Sequence, residues 1–218
     1  TFPLKKLVYD LATKGRDITG TLRVSRYKLF PCEKTFPTHQ FETDLRQDVF
    51  DYIRTDNSDS TIEWHVNFAD PYLFTAFSSP LFAQDEIQVA EMPVLGHLRK
   101  SLDKATHTTE NNLIPFTRKN GRGTPMLIRG IQRFCSVETN SNASEGRPYG
   151  LYGNAFARHK PDVIEKATKL IDPPQIVNMI AMSALPGGHG EYSKDEIIDT
   201  FTTAYTSFRA AKLESHLQ

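Results

Sequence analysis

Polar and apolar residues alternate along the chain with two different periods. Over 61–68 every second residue is apolar, which predicts a strand with one buried face. A second strand is predicted over 126–131, and the almost continuous apolar run over 176–182 is typical of a strand covered on both faces. The polar stretches 111–125 and 137–147 are predicted to be surface loops.

Apolar residues at helical spacing predict helices over 43–53 and 161–171. Another helix is predicted to begin after Ser193, because Ser193 and Glu196 form the capping-box pattern. Strands that alternate with helices in this order predict an α/β fold, a mixed sheet sandwiched between helices. The predicted apolar stripe of the last helix consists of Ile197, Ile198, Phe201, Ala204, Tyr205 and Phe208.

The composition is that of an ordinary globular domain. The chain has 218 residues, of which 39% are hydrophobic and 24% are charged. We interpret 1–218 as a single domain in which 1–42 is an N-terminal extension or accessory segment. Because the sequence has neither an initiator Met nor a signal peptide at its start, we expect it to be a piece of a longer protein.

The charges of the chain balance, with 26 basic and 26 acidic side chains. No net field therefore draws the protein to nucleic acid or to an anionic membrane. We predict a monomer that has no membrane partner and does not bind nucleic acid strongly. An anionic ligand must be held by a local device such as a helix N-terminus or a turn of backbone amides.

Cys32 and Cys135 are the two cysteines of the sequence, and they form neither a disulfide framework nor a paired metal site. Their scarcity predicts a reducing compartment, the cytoplasm, including the case of delivery into a host cell. His189 has no partners at metal-ligand spacing. We therefore predict no metal.

The segment 183–192 lies between a predicted buried strand and the capped helix. Gly187, Gly188 and Gly190 let its backbone turn and come close to a ligand, and the following helix offers free N–H groups and the positive end of its dipole. These features predict a loop that holds a diphosphate. A plain glycine-rich connection is the alternative.

Polar and acidic residues follow the predicted strand over 61–68. Asp70 comes directly after it, at the edge where ligands bind in open α/β sheets, and Gln84, Asp85 and Glu86 follow one loop later. This pattern indicates carboxylates placed for acid–base chemistry. Alternatively, Asp85 and Glu86 stabilise the first turn of a helix through its dipole.

Two patterns in this region resemble the signature of the poly(ADP-ribose) glycohydrolases. That family has F-A-N-x-Y, and later a Gln followed by two acids. Here F-A-D-x-Y stands at 68–72 and L-F-A-Q-D-E-I at 81–87. The segments 127–134, 149–156 and 183–192 follow in the order expected of the family.

The resemblance implies a macrodomain fold and a hydrolase that binds ADP-ribose, needs no cofactor and acts on ADP-ribosylated protein. It implies that Glu86 is the catalytic acid at the ribosyl C1″ and that Asp85 holds the ribose. It further implies that Asp70 and Gln84 are orienting groups near the same ribose. The other ligand contacts it implies are Ser183, Gly187, Gly188, Gly190 and Tyr192 in the phosphate loop and Phe134 near the ribose–phosphate end. Because the family's adenine-stacking residue has no counterpart here, we expect Asp56 or Asn57 beside the adenine.

The sequence departs from the family pattern at three places. The loop over 74–80 has no glycine, Asp70 replaces an Asn, and a final strand with an adenine-stacking aromatic residue is missing. These departures favour removal of single ADP-ribose units from protein over digestion of the polymer. The acids Asp70, Asp85 and Glu86 favour an arginine-linked substrate, because a guanidinium is positively charged. A non-catalytic ADP-ribose reader and a structural domain with a decayed pocket remain alternatives.

Overall fold

The computed structural model describes residues 1–31, 52, 61–105, 115–183, 185 and 190–216. In this part of the chain the fold is mixed α/β, as the sequence pattern predicts. It includes two short 3₁₀ helices, Ala143–Glu145 and Phe156–Arg158. The elements are α1 (Pro3–Thr13), β1 (Arg23–Arg26), β2 (His65–Ala69), α2 (Gln84–Glu91), α3 (Val94–Ala105), β3 (Arg118–Lys119), β4 (Arg122–Gly123), β5 (Met126–Val137), α4 (Pro161–Ala167), β6 (Thr168–Ser183) and α5 (Lys194–Ser215).

The main sheet of the described residues has four strands in the order β1–β5–β6–β2. β5 is antiparallel to β1 and to β6, whereas β2 and β6 run parallel. Ala69 at the end of β2 lies opposite Ser183 at the end of β6. The carboxyl ends of these two strands therefore meet at one edge of the sheet. The hairpin β3–β4 forms a second, smaller sheet.

Helices cover both faces of the main sheet. Met126 and Ile128 of β5 belong to a buried cluster with residues of α2 and α3, whereas Leu127 packs with Ala210 and Ala211 of α5. Successive side chains of a strand point to opposite faces. α5 therefore covers one face, and α2 with α3 covers the other.

The N-terminal helix α1 is part of the core. Leu4, Val8 and Ala12 are spaced four residues apart, so they share one face of the helix, and all three are buried. They pack in a cluster with residues of α2, β5 and α4. The predicted accessory segment 1–42 thus begins with a helix that packs directly against the elements that follow.

The predicted strand over 61–68 has a different buried face from the one expected. Within β2, Asn67 is fully buried, whereas Phe68 is 64% exposed. The side-chain amide of Asn67 tolerates burial because it finds hydrogen-bond partners on α2. The predicted helix over 43–53 lies outside the described residues apart from Tyr52, which is buried.

The predicted helix over 161–171 ends early, at Ala167, and β6 begins at Thr168. Val163, Ile164 and Ala167 are buried as the stripe predicts, but Leu170 is exposed. The strand includes two consecutive prolines, and a proline disrupts a helix interior because it has no amide N–H. The predicted strand over 176–182 is therefore only the last part of a longer one.

The capping box of Ser193 and Glu196 is confirmed at the start of α5. The predicted apolar stripe, however, is not the buried face. Ile197, Ile198 and Phe201 are exposed, together with Phe208. The helix instead buries small and hydroxyl side chains, whose size allows close approach to the sheet. The hydroxyls of Thr203 and Ser207 tolerate burial because they donate to carbonyl oxygens of their own helix. The buried residues include Thr203, Thr206, Ser207, Ala210 and Ala211.

Two predicted loops contain some regular structure. The described part of 111–125 includes the β3–β4 hairpin, and 137–147 includes the first 3₁₀ helix. Cys135 is a free, buried thiol on β5, and burial raises its pKa to about 12. Among the residues described, no helix combines the length and apolar composition that crossing a bilayer requires.

Candidate functional site

The candidate site lies where the parallel strands β2 and β6 end. Asp70 directly follows β2, and Ser183 is the last residue of β6. Ligands of open α/β sheets bind beyond the carboxyl ends of their strands. Ser183 is buried, and its hydroxyl oxygen has no hydrogen-bond partner. This edge therefore has unused hydrogen-bonding capacity.

Helix α2 is held against β2 by the side chain of Gln84. The Gln84 Nε2 donates to the carbonyl oxygen of Val66 at 2.8 Å, and its Oε1 accepts from the amide of Phe68 at 3.1 Å. The amide side chain thus imitates a neighbouring strand at the outer edge of β2. Gln84, to which the resemblance gives an orienting role at the ribose, thus also positions the helix that carries Asp85 and Glu86.

A buried polar network joins β2 to α2. The Asn67 Nδ2 donates to Asp85 Oδ1 and to Gln88 Oε1, each at 2.7 Å, and the Gln88 Nε2 donates to the hydroxyl of Tyr52 at 3.0 Å. Two atoms of the network, Asn67 Oδ1 and Asp85 Oδ2, are buried without a partner. Buried orphan atoms are rare in folded proteins, and here they lie next to the strand end.

The carboxyl group of Asp85 is strongly perturbed. Burial raises its pKa to about 7, and the charges of Glu86 and Asp70 add to the rise. The hydrogen bond from Asn67 and the charge of Lys5 act in the opposite direction. A carboxyl group with a pKa near 7 exchanges protons readily at neutral pH, the property that acid–base catalysis requires.

Glu86 lies in the first turn of α2 and is 3% exposed. Its Oε2 accepts a hydrogen bond at 2.9 Å from the amide of Ala83, the residue that precedes the helix. Both acids therefore stand in the first turn, where the helix dipole stabilises negative charge. This is the arrangement that the alternative interpretation of Asp85 and Glu86 requires, and it is also compatible with a catalytic pair.

A buried lysine of α1 lies beside the pair. Lys5 is 4% exposed, burial lowers its pKa to about 8, and the charges of Glu86 and Asp85 partly restore it. Its Nζ donates to the carbonyl oxygens of Ala76 and Phe77 at 3.1 and 3.3 Å. Lys5 thus links the acids of α2 to the loop over 74–80.

The loop over 74–80 is fixed even though it lacks glycine. Besides the two bonds from Lys5, the amide of Phe2 donates to the carbonyl oxygen of Ser78 at 2.9 Å. Phe74 has a φ of 53°, a left-handed conformation in which glycine is favoured, and its ring is fully buried. Tertiary packing of the ring offsets the backbone strain at a position that needs glycine-like geometry.

A cavity of about 760 Å³ lies beside the strand ends, with Phe68 and Asp70 among its lining residues. Of the predicted acids Asp70, Asp85 and Glu86, only Asp70 lines it. The charge of Asp70 nevertheless contributes to the raised pKa of Asp85, so Asp85 lies within electrostatic reach of a residue that lines the cavity.

The cavity lining carries more negative than positive groups. The guanidinium of Arg118 donates twice to Asp199 Oδ2, at 2.7 Å each, so these two charges cancel. The other charged lining residues are Arg122 on one side and Asp70, Asp195 and Glu196 on the other. The lining therefore favours a cationic group.

The other predicted ligand residues are distributed unevenly. Gly190 is exposed with a φ of 96°, and Tyr192 is exposed close to the start of α5. Phe134 is buried in the core cluster of α1, α2 and α4. It stands eight positions along β5 from Met126, the end near Ser183, or about 26 Å at the usual strand rise, so the structure does not bring it to the site. Asp56, Gly187 and Gly188 lie outside the described residues.

Sequence reasoning missed three residues of this site. Lys5 stands in the segment interpreted as an extension, and Asn67 and Gln88 carry no motif of their own. One usable signal existed for Asn67, a polar residue of the predicted strand that stands three positions before Asp70. No comparable signal identifies Lys5, because its partners are more than seventy positions away in the sequence.

Within the described ranges no cluster of three or more His, Cys, Asp or Glu residues is arranged to hold a metal ion. In comparisons with known proteins, no protein-family model matches the chain. A comparison with curated proteins likewise gives no match.

Proposed function

We propose that this protein is an ADP-ribosyl hydrolase that removes single ADP-ribose units from modified protein. The observation that carries the proposal is the buried pair Asp85–Glu86 at the start of α2, one of whose carboxyls has a pKa of about 7. Asp70, whose charge acts on Asp85, directly follows the carboxyl end of β2. The resemblance of 68–72 and 81–87 to the glycohydrolase signature supplies the substrate class.

The chemistry proposed for the pair is acid–base hydrolysis at the ribosyl C1″. Bond breaking passes through an oxocarbenium-like transition state, by analogy with glycosidases. One carboxyl donates a proton to the leaving group and then, as a carboxylate, activates water. The resemblance implies that Glu86 is the acid, but the raised pKa favours Asp85 as the group that holds the proton at neutral pH. In the proposed reaction the two neighbouring carboxyls therefore act together, rather than as an independent acid and an independent binding group.

The acceptor that best fits the site is an arginine side chain. A guanidinium linked to ribose is cationic, and the cavity lining has more acids than bases. Asp70 lies directly after β2, where it can bind such a group. The excess of acids opposes a diphosphate in the same space, so the phosphates belong with the loop over 183–192, where Gly190 has the required left-handed backbone.

The proposal includes a protein partner that carries ADP-ribose, a monomeric enzyme and a hydrolysis that needs no cofactor. The compartment that fits a free, buried Cys135 is a reducing one, the cytoplasm.

A non-catalytic ADP-ribose reader is the second candidate. Two observations favour it: Asp85 and Glu86 do not line the cavity, and Glu86 Oε2 accepts a hydrogen bond from the amide of Ala83. A reader needs affinity without turnover, so the two candidates predict the same binding and different chemistry.

The experiment incubates the protein with arginine-, serine- and glutamate-linked ADP-ribosyl substrates and measures released ADP-ribose. We expect turnover with the arginine linkage, and in Glu86→Gln a loss of about a hundredfold or more, because a glutamine cannot transfer a proton. The matched control is Glu165→Gln, an exposed residue of α4 that is expected to keep full activity.

Binding of free ADP-ribose is measured separately by thermal shift, since a ligand that binds the native state raises its melting temperature. A shift without turnover on any linkage would establish the reader. If millimolar ADP-ribose gives no thermal shift and no linkage gives turnover, both candidates are rejected.

A further inference from the structure

A groove of opposite charge adjoins the cleft, as we call the cavity of about 760 Å³ at the candidate site. It has a volume of about 1140 Å³ and lies between the segment 24–29, at the end of β1, and the segment 119–124, at the β3–β4 hairpin. Leu29 and Arg122 line both the groove and the cleft. The two are therefore continuous at this point.

The described lining of the groove carries four cations and no carboxylate: Arg26, Lys28, Lys119 and Arg122. In the part of the chain that is described, none of these four forms an ion pair. Five other arginines within the described ranges are each paired with an acid: Arg16, Arg99, Arg118, Arg133 and Arg147. Four cations of a chain with no net charge thus line one groove without a carboxylate partner among the described residues.

Arg26 contributes a second, independent observation. Its Nε is buried and has no hydrogen-bond partner, and burial lowers the pKa of its guanidinium. Holding a charge in such a place costs solvation energy, which a bound anion offsets. The groove therefore gains more from an anionic ligand than a fully solvated patch would.

The shape of the groove favours a polypeptide over a nucleic acid. Two segments of chain, 24–29 and the β3–β4 hairpin, line the groove on opposite sides, an elongated arrangement that suits an extended peptide. Proteins that bind single-stranded nucleic acid combine a basic groove with exposed aromatic rings for the bases. Tyr27 is the one aromatic residue of the described lining, and its hydroxyl and ring are engaged by Glu214 and Phe30.

Charge on an edge strand also protects it from self-association. That role needs cations on β1 itself. Here the hairpin contributes Lys119 and Arg122 to the opposite wall, which protection of the strand does not require. The arrangement is that of a two-walled binding site.

We propose that this groove is a docking site for an acidic segment of polypeptide in the protein whose ADP-ribose is removed. The proposal rests on the proposed function for the identity of the partner. Because the groove joins the cleft at Leu29 and Arg122, a chain bound in one continues into the other. Selectivity for modified proteins with acidic stretches follows, since electrostatic complementarity governs encounter and register.

The test uses a fluorescein-labelled glutamate-rich peptide without ADP-ribose, and its affinity is measured by fluorescence anisotropy. We expect the double variant Lys28→Glu/Lys119→Glu to weaken binding about tenfold or more, because both side chains are exposed on the groove walls. The control Lys100→Glu/Lys166→Glu makes the same charge change at exposed residues of α3 and α4, and is expected to leave affinity within about twofold of the wild type.

Specificity is checked with the same peptide carrying glutamine at every glutamate, and with labelled oligothymidylate. The glutamate peptide is expected to bind most tightly and to shift amide resonances of 24–29 and 119–124. Equal weakening by both double variants would overturn the proposal, as would tighter binding of oligothymidylate or no preference for glutamate over glutamine. Since no ADP-ribose is present, these results stand apart from those on hydrolysis.

Discussion

The side-chain amide of Asn67 donates to Asp85 Oδ1 at 2.7 Å, inside the contact between β2 and α2. Its second N–H donates to Gln88 Oε1 at the same distance. Both donors of the amide are therefore used, and two acceptors of α2 depend on one residue of β2. This bond also lowers the pKa of Asp85 against the larger effect of burial. Asn67 thus couples the packing of α2 to the protonation of the candidate acid.

Replacing Asn67 tests this coupling. In Asn67→Ala, Asp85 and Gln88 lose their donor in a buried place, and a buried polar group without a partner costs about 1–3 kcal/mol. We expect the free energy of unfolding, measured in urea, to fall by about 2–3 kcal/mol. Asn154→Ala, at an exposed position, should change it by less than about 0.5 kcal/mol. Equal effects of the two substitutions would contradict the role of the network.

Sequence patterns predicted the parts of the fold that depend on near neighbours. The capping box of Ser193 and Glu196 spans three positions, and the strand over 126–131 is a run of consecutive residues. The burial of Asn67 was not predicted, because its partners lie about twenty positions away on α2. A period of two identifies a strand, but it cannot say that a polar residue will find such partners.

The same limit explains the wrong buried face of α5 and the site residues that the sequence did not reveal. Helical spacing identified an apolar stripe with Phe201, yet the helix packs through small residues such as Ala210, because close contact with the sheet excludes large rings. Asp85 and Glu86 were identified from their order in the sequence. Lys5 was not, because a chain pattern does not report which distant segments meet.

The raised pKa of Asp85 predicts a pH dependence of stability. The folded state holds its proton up to about pH 7, whereas the unfolded chain releases it near 3.8, so the folded state binds more protons between these values. Stability from this group is therefore lost as pH rises from about 4 to about 7. In Asp85→Asn the group no longer titrates. We expect the unfolding free energy of the wild type, relative to the variant, to fall by up to about 4 kcal/mol across this window.

Urea unfolding of both proteins at several pH values between 4 and 8 measures this difference. The groups that act on the Asp85 carboxyl are Glu86, Asp70, Lys5 and Asn67. Parallel pH profiles of the two proteins would mean that Asp85 titrates as an ordinary, solvated carboxyl.

Lys5 is expected to act on both the loop and the acids. In Lys5→Met the carbonyl oxygens of Ala76 and Phe77 lose their donor, and Asp85 loses the positive charge that lowers its pKa. We expect the pKa of Asp85, followed by NMR of its side-chain carboxyl, to rise above about 7, and amide exchange over 77–79 to become about tenfold faster.

The neighbouring residue provides the control. Lys6 lies on the solvent side of α1 and pairs with Asp10, so Lys6→Met removes the same charge without touching the loop. It should leave both measurements unchanged. If the two variants shift the Asp85 titration equally, the effect is one of net charge rather than of position.

The last prediction concerns Gly190, the one glycine of the predicted phosphate loop within the described residues. Its φ of 96° disfavours any residue with a Cβ, although the added atom would meet nothing within 4 Å. Gly15 offers a matched control, with a φ of 69° and equally open surroundings after α1. An alanine at either position should reduce stability by about 1 kcal/mol through backbone strain alone. Only Gly190→Ala is expected to weaken ADP-ribose binding, by about tenfold in a calorimetric titration, because the strained loop turns its amides away from the phosphates. Equal affinities of the two variants would remove Gly190 from the ligand site.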